Sequence, residues 1–273
     1  MESSGRLKRV KSTDAGISRV RRGRAFAYVD VAGDGVADAE TLERIRQLSI
    51  PPAWTDVWIC REPMGHLQAA GTDAAGRRQY LYHERWRERR DREKFERMLR
   101  FAESLPALRD VVGSDLRRRG LEADTVLACA VRLLDVGLFR VGSEEYAKNG
   151  SFGLATLRKE HVRVSGRAVR FDFIAKSGVR RTISVSDPRV ASVIRRLKRR
   201  PDGGDELLVS RTHDRWRRVR STDINGYIKR WAGEGFSAKD FRTWHATVLA
   251  AVLLAEEVRG LPWPNANEPS PRP

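Results

Sequence analysis

Cysteine is nearly absent from this sequence: there are two in 273 residues, Cys60 and Cys129, and they do not form a CxxC pair. That excludes a zinc ribbon and a disulfide framework as organising devices. The five histidines are scattered without ligand spacing, so no metal site is expected. No GxxxxGK[ST] stretch occurs, and with it goes the phosphate-cradling loop of many ATP-driven enzymes; no ATP or other cofactor is expected. The first 24 residues are basic and lack the apolar stretch of a secretory leader. No apolar run elsewhere approaches the length that spans a bilayer. The expectation is a cytoplasmic chain with no membrane contact.

Acidic residues are also in short supply, 36 Asp and Glu against 53 Lys and Arg, a net charge of +17. Such an excess is not needed for folding and works against compactness. It points to a polyanionic partner, most simply nucleic acid. Arginine is the preferred cation and it is clustered, as phosphate recognition favours. Hydrophobic residues make up 40% of the chain, enough for one large core or two smaller ones.

The order of patterns predicts an α+β chain with four segments. Residues 1–24, with eight Lys and Arg against two acids, read as a basic flexible arm. Residues 25–86 read as a small β-rich domain: "AFAYVDVAG", "DVWICRE" and "HLQAAGTDAAGRRQYLYH" alternate apolar residues between Gly-bearing turns, around a helix stopped by Pro51 and Pro52. The composition then shifts to "ERWRERRDREKFERMLRFAESL", where Trp86, Phe95, Met98 and Leu99 are placed to share one helix face. Residues 87–257 read mostly as helices, over 91–104, 107–119, 123–138, 187–199, 221–232 and 240–257, with Phe241 opening a buried last helix. "HVRVSGRAVRFDFIAKSGVRRTISV" interrupts them as a three-stranded antiparallel sheet. Five of the eleven prolines fall in 262–273, so 258–273 reads as a Pro-rich disordered tail.

Three cations stand where solvation is a poor explanation. Arg140 follows an apolar stretch in "LLDVGLFRVGSEEY", Lys176 sits at a turn tip in "FIAKSGVRR", and Arg242 opens the last helix in "AKDFRTWHATVLAA". Each alone would pass for a snorkelling surface residue. Together with "IPPAWTDVWI", "GTDAAGRRQYLYH", "LFRVGSEEYAKNGSFGLATLRKEHV" and "DINGYIKRW", in one order, they make the chain resemble the type IB DNA topoisomerases of the bacterial and poxvirus-like branch, from about Ala25 to Leu254.

The resemblance implies a monomeric enzyme that binds double-stranded DNA. A tyrosine attacks a phosphodiester, forms a 3′-phosphotyrosyl link, and frees a 5′-hydroxyl that later reseals the strand. Neither metal nor ATP is needed, since the bond energy stays in the covalent intermediate. Arg140 and Arg242 are implied to hold the non-bridging oxygens, and Lys176 to protonate the leaving 5′-oxygen. Gln79, Tyr80 and Tyr82 match positions that read the major groove, with the tyrosines on one face of a strand and Gln79 opposite. Basic residues of 85–100 and 211–220 are implied to meet phosphates as the two domains close on the duplex.

The pattern also departs from the family. The implied nucleophilic tyrosine, and a His or Asn donor, belong downstream of Arg242. The five tyrosines are Tyr28, Tyr80, Tyr82, Tyr146 and Tyr227, and none follows it. His245, one helical turn on from Arg242, reads as structural. The expectation is therefore a nucleophile-less polypeptide, from truncation, frameshift or domestication as a non-cleaving DNA binder. A tyrosine recombinase is the competing enzyme class. It usually carries HxxR before its second arginine, where this chain reads "AKDFR", and its N-terminal domain is helical.

Overall fold

The computed structural model describes residues 5–23, 25–213 and 215–259, so the Pro-rich tail expected over 258–273 lies outside the described residues from 260 onward. The chain divides into two units, Met1–Glu96 and Arg97–Pro273.

The first unit is built on a five-stranded antiparallel sheet in the order β2-β1-β3-β4-β5. The strands are β1 (Gly16–Arg22), β2 (Ala25–Val29), β3 (Thr55–Cys60), β4 (Leu67–Thr72) and β5 (Arg78–Tyr82), with α1 (Ala39–Gln47) between β2 and β3. Ile17, Ile45, Val57, Ile59 and Ala69 are buried together as its core. Asp38 caps α1, accepting a 2.8 Å bond from the Thr41 amide, and the helix runs out before Pro51 and Pro52.

The flexible arm expected over 1–24 is corrected here. Its second half is strand β1, central in the sheet and paired with both β2 and β3. Composition misled because β1 carries three arginines and buries only one large apolar side chain, Ile17. Arg19 then finds three carbonyls, on Ile50, Pro51 and Trp54, at 3.2, 3.0 and 2.7 Å. Earlier still, Lys8 bridges to Gly65 and pairs with Glu62 at 2.6 Å.

α2 (Glu84–Asp115) begins in the first unit and continues into the second, so the unit boundary falls inside it rather than at 86/87. It also runs through Pro106, where two helices were expected. Proline removes one backbone donor and strains one turn. Phe101, Leu105, Leu108 and Val112, all buried, hold the helix to the core on both sides of that defect. The expected apolar face holds only in part: Met98 is buried, whereas Phe95 and Leu99 are 58% and 49% exposed.

The second unit surrounds α3 (Ala123–Gly137), which is buried on nearly every side. After it come α4 (Glu144–Lys148), then β6 (Val162–Ser165), β7 (Ala168–Ile174) and β8 (Arg180–Ser186), which form the expected three-stranded antiparallel sheet. α5 (Pro188–Arg199) starts on an Asp187 cap with Pro188 in its first turn. A hairpin of β9 (Val209–Thr212) and β10 (Arg215–Arg218), α6 (Ser221–Ala232) and α7 (Ala238–Arg259) complete it. The hairpin occupies the stretch read only as a charge run. α7 is buried at Ala238, Asp240 and Phe241 but exposed from Ala246 to Glu257, including Val248, Leu249, Val252, Leu253 and Leu254. An apolar pattern shows that a face can be covered, not that it is.

Candidate active site

Arg140, Lys176 and Arg242 come from three distant stretches, and the second unit brings them together around one pocket of about 280 Å³. Each is placed by a buried residue next to it. α3 ends on Leu138 in the left-handed region (φ 55°), which turns Phe139 into the core, where its ring meets Phe171 edge-on at 4.8 Å and stacks on Phe173 at 6.0 Å. Arg140 then emerges at the surface. The Arg140 and Val141 carbonyls accept bonds from the Leu154 and Ala155 amides at 2.9 and 2.8 Å. This pairing needs glycine twice: a Cβ on Gly153 would lie 2.5 Å from the Gly142 Cα, and Gly142 has φ +80°.

The same 151–155 segment reaches the hairpin that carries Lys176. The Phe152 amide donates to the Ile174 carbonyl at 2.7 Å, and the Ala175 amide to the Val179 carbonyl at 2.8 Å closes the tip. Ser177 takes φ 67° there, a conformation uncommon outside glycine. Lys176 Nζ stands 5.6 Å over the Tyr146 ring, a cation–π contact.

Arg242 lies in the first turns of α7, beside two anchors. Phe241 is buried and meets Phe101 edge-on at 5.1 Å. Asp240 is buried and accepts from Arg97 through both oxygens, at 2.9 and 2.9 Å, and from the Ser237 amide at 2.8 Å and hydroxyl at 3.0 Å.

Among the described residues, Arg140, Lys176, Lys239 and Arg242 have no carboxylate partner. Burial, then the neighbouring Arg140 and Arg181, pull the Arg242 guanidinium below its ordinary value. It remains charged, since arginine does not lose its proton in proteins. Cations held together without acids form a site for an anion. Tyr146, Ser143 and Lys239 also line the pocket and were not singled out as site residues. For Lys239 the signal was available: it precedes Arg242 by three residues, and on a helix that spacing shares a face.

The tyrosines separate by environment. Tyr227 is fully buried and donates to Asp115 at 2.7 Å; burial, then that bond, push its hydroxyl well above the ordinary value. It is neither reachable nor readily ionised. Tyr146 is at the pocket rim. His245 Nε2 is buried without a hydrogen-bond partner, and the residue does not line the pocket.

In the first unit, Tyr80 and Tyr82 are 46% and 40% exposed on the edge strand β5, their rings stacked at 6.3 Å. Gln79 points the other way, and its amide nitrogen donates to Asp73 at 2.8 Å. The tyrosines thus form an open aromatic face that Gln79 does not share. No cluster of metal-ligating side chains occurs among the described residues, and no helix there is long and apolar enough to cross a membrane.

Residues 83–269 match the model of the eukaryotic DNA topoisomerase I catalytic core, and residues 25–73 that of the bacterial DNA topoisomerase IB N-terminal domain. The DNA topoisomerase 1B of Acanthamoeba polyphaga mimivirus is 34% identical over 250 residues, 89% of this chain and 74% of that protein. The chain belongs to the type IB DNA topoisomerases. Poxvirus members are more distant: DNA topoisomerase 1B of vaccinia virus and DNA topoisomerase I of monkeypox virus are each 24% identical over 147 residues, 52% of this chain and 47% of theirs. A solved XerH site-specific recombinase, bound to its difH substrate, covers 59% of this chain and 44% of its own at 14% identity; its TM-score of 0.33 carries no weight against the type IB membership.

Proposed function

We propose that this chain engages duplex DNA and frames one phosphodiester with Arg140, Lys176 and Arg242 for type IB strand transfer. The observation that carries this is the convergence of the three cations, with no acid among them, on one pocket. In-line attack on a phosphodiester puts extra negative charge on the two non-bridging oxygens. Guanidinium forks match those oxygens and cost no proton. Lys176, on its hairpin tip, is the general acid for the 5′-oxygen. The phosphoryl group passes to a tyrosine and back, so the scheme calls for neither ATP nor metal. Tyr80 and Tyr82 offer bases and sugars an aromatic contact, and one chain suffices for one duplex.

The 273 residues contain no tyrosine after Arg242. Tested as this polypeptide, the protein should bind DNA without forming a covalent adduct, which is also how a non-cleaving binder on the same fold would behave. If about six phosphates are contacted, affinity should fall roughly a thousand-fold between 50 and 200 mM salt. Fusing a family C-terminal segment, with its His or Asn and its Tyr, after Ala255 should restore plasmid relaxation that depends on Arg140, Lys176 and Arg242. A detergent-trapped adduct on the unfused polypeptide, at Tyr146 for example, would refute the assignment of the nucleophile. Salt-independent binding would remove the DNA reading itself.

A further inference from the structure

The second unit carries a larger cavity than the one that holds Arg140, Lys176 and Arg242. It is a depression of about 570 Å³ on the outward face of the three-stranded sheet, lined by Arg163, Arg170, His161, Asp172 and Arg180 among others. Alternation along the strands creates it. Val162, Val169 and Phe171 turn into the core, so Arg163 and Arg170 turn out. Register then places Arg163 directly opposite Arg170 on β6 and β7.

Like charges directly opposite on an antiparallel pair oppose the pairing. A sheet that served only to pack would gain by placing an acid at one of the two positions. The nearby acids relieve the pair only in part. Asp172 feels the charge of Arg170 and Arg163, but its side-chain hydrogen bonds go to Arg180 through both oxygens, at 2.8 and 2.8 Å, and Glu160 faces Arg158 and His161, each at 3.8 Å. Neither Arg163 nor Arg170 has a carboxylate partner among the described residues. A further cation lies near: Lys198 donates to the Lys159 and Val162 carbonyls, and burial, then Arg163 and Lys159, hold its amine below the ordinary value.

The depression adjoins the catalytic pocket. Phe152 lines both, and β7 runs from Arg170 to Ile174, two residues before Lys176. We infer that Arg163 and Arg170 form a second phosphate clamp, which takes a backbone phosphate of the same DNA whose reacting phosphodiester lies at Arg140, Lys176 and Arg242. Two planar forks from adjacent strands suit one phosphate group, and binding removes their mutual repulsion. This rests on the proposed function above.

The test compares salt dependence of binding to a short labelled duplex for the wild-type chain and the Arg163→Gln/Arg170→Gln double variant. Each neutralised phosphate contributes about 0.9 to the slope of log affinity against log salt. The variant should lose about one unit of slope and bind more weakly, while its melting temperature stays level or rises. The Arg163→Lys/Arg170→Lys variant keeps the charge and should keep the slope. If the double glutamine variant does not fold, Arg163→Gln alone, on the edge strand β6, carries the same comparison. An unchanged slope in a folded variant overturns the clamp and leaves the proposed function standing. A wild-type chain that does not bind DNA overturns both. If inorganic phosphate protects the wild type against unfolding but not the variant, and the DNA slope is unchanged, the site is a small-anion site and its assignment to DNA is overturned.

Discussion

Replacing Asp240 by alanine should loosen the helix that carries Arg242. The carboxylate is buried and accepts four bonds, two from Arg97 and two from Ser237. Removing a fully buried charge partner costs about 3–5 kcal/mol, because the other charge is stranded. Arg97 is not stranded: its side chain is 44% exposed, so water takes over most of its hydrogen bonding. What remains of that pair is roughly 1–2 kcal/mol. The Ser237 amide loses its acceptor at the start of α7, about another 1 kcal/mol by analogy with helix caps. The expected loss is about 2–3 kcal/mol, or roughly 5–10 °C in the melting temperature of a unit this size. Asp240→Asn keeps an acceptor oxygen and should lose about half as much. Thermal and urea unfolding followed by circular dichroism measure the loss, and a double-mutant cycle with Arg97→Ala isolates the pair. DNA affinity should fall in parallel, because Arg242 lies two residues beyond the anchor. A loss under about 0.5 kcal/mol with unchanged affinity would refute both the magnitude and the positioning argument.

Other outcomes follow from particular contacts. Gly153→Ala would press a methyl against the Gly142 Cα and the Arg140 carbonyl, at 2.5 and 2.9 Å before relaxation; about 1–3 kcal/mol of stability should be lost, and DNA binding should weaken more than in an exposed Gly→Ala control such as Gly235→Ala, where nothing lies within 4 Å. Asp73 holds the β4–β5 turn, and the Arg77 amide foremost, with the Arg77, Gln79 and Ala75 donors, overcomes the opposing effect of burial to keep its carboxyl at about 2. Its folded value is depressed, so its stabilisation is complete above the unfolded carboxylate value and is lost as pH falls toward 2. Protection of the Arg77 amide, taken relative to its intrinsic exchange rate at each pH, should fall over that window, and Asp73→Asn should remove that change. Tyr80→Ala and Tyr82→Ala should weaken duplex binding with only a modest change in melting temperature, since both residues are outside the core and 40% or more exposed; a large thermal loss would instead mark them as packing residues.

Local pattern was enough for much of this protein. The alternation in 162–186 determined a three-stranded sheet and its turn tip. The apolar run 123–138 determined a buried helix. The order of separate motifs determined the family and pointed to Arg140, Lys176 and Arg242. Other features depended on residues far apart in sequence. β1 read as a basic arm because its second partner, β3, and the carbonyls that receive Arg19 lie outside any local window. Pro106 ends a helix by local rule, and core packing on both sides of it overrides the rule. α7 looks buried by composition, yet no neighbour covers its second half among the described residues. The same distinction applies to charge. Sequence counts 53 cations against 36 acids but does not say which are paired. Folding gives Arg97 to Asp240, Arg109 to Asp135 and Arg180 to Asp172, and among the described residues leaves Arg140, Arg163, Arg170, Lys176 and Arg242 without a salt-bridge partner. An ion pair forms over a few ångströms of space, whatever the separation along the chain, so only the tertiary structure decides which cations remain for phosphate.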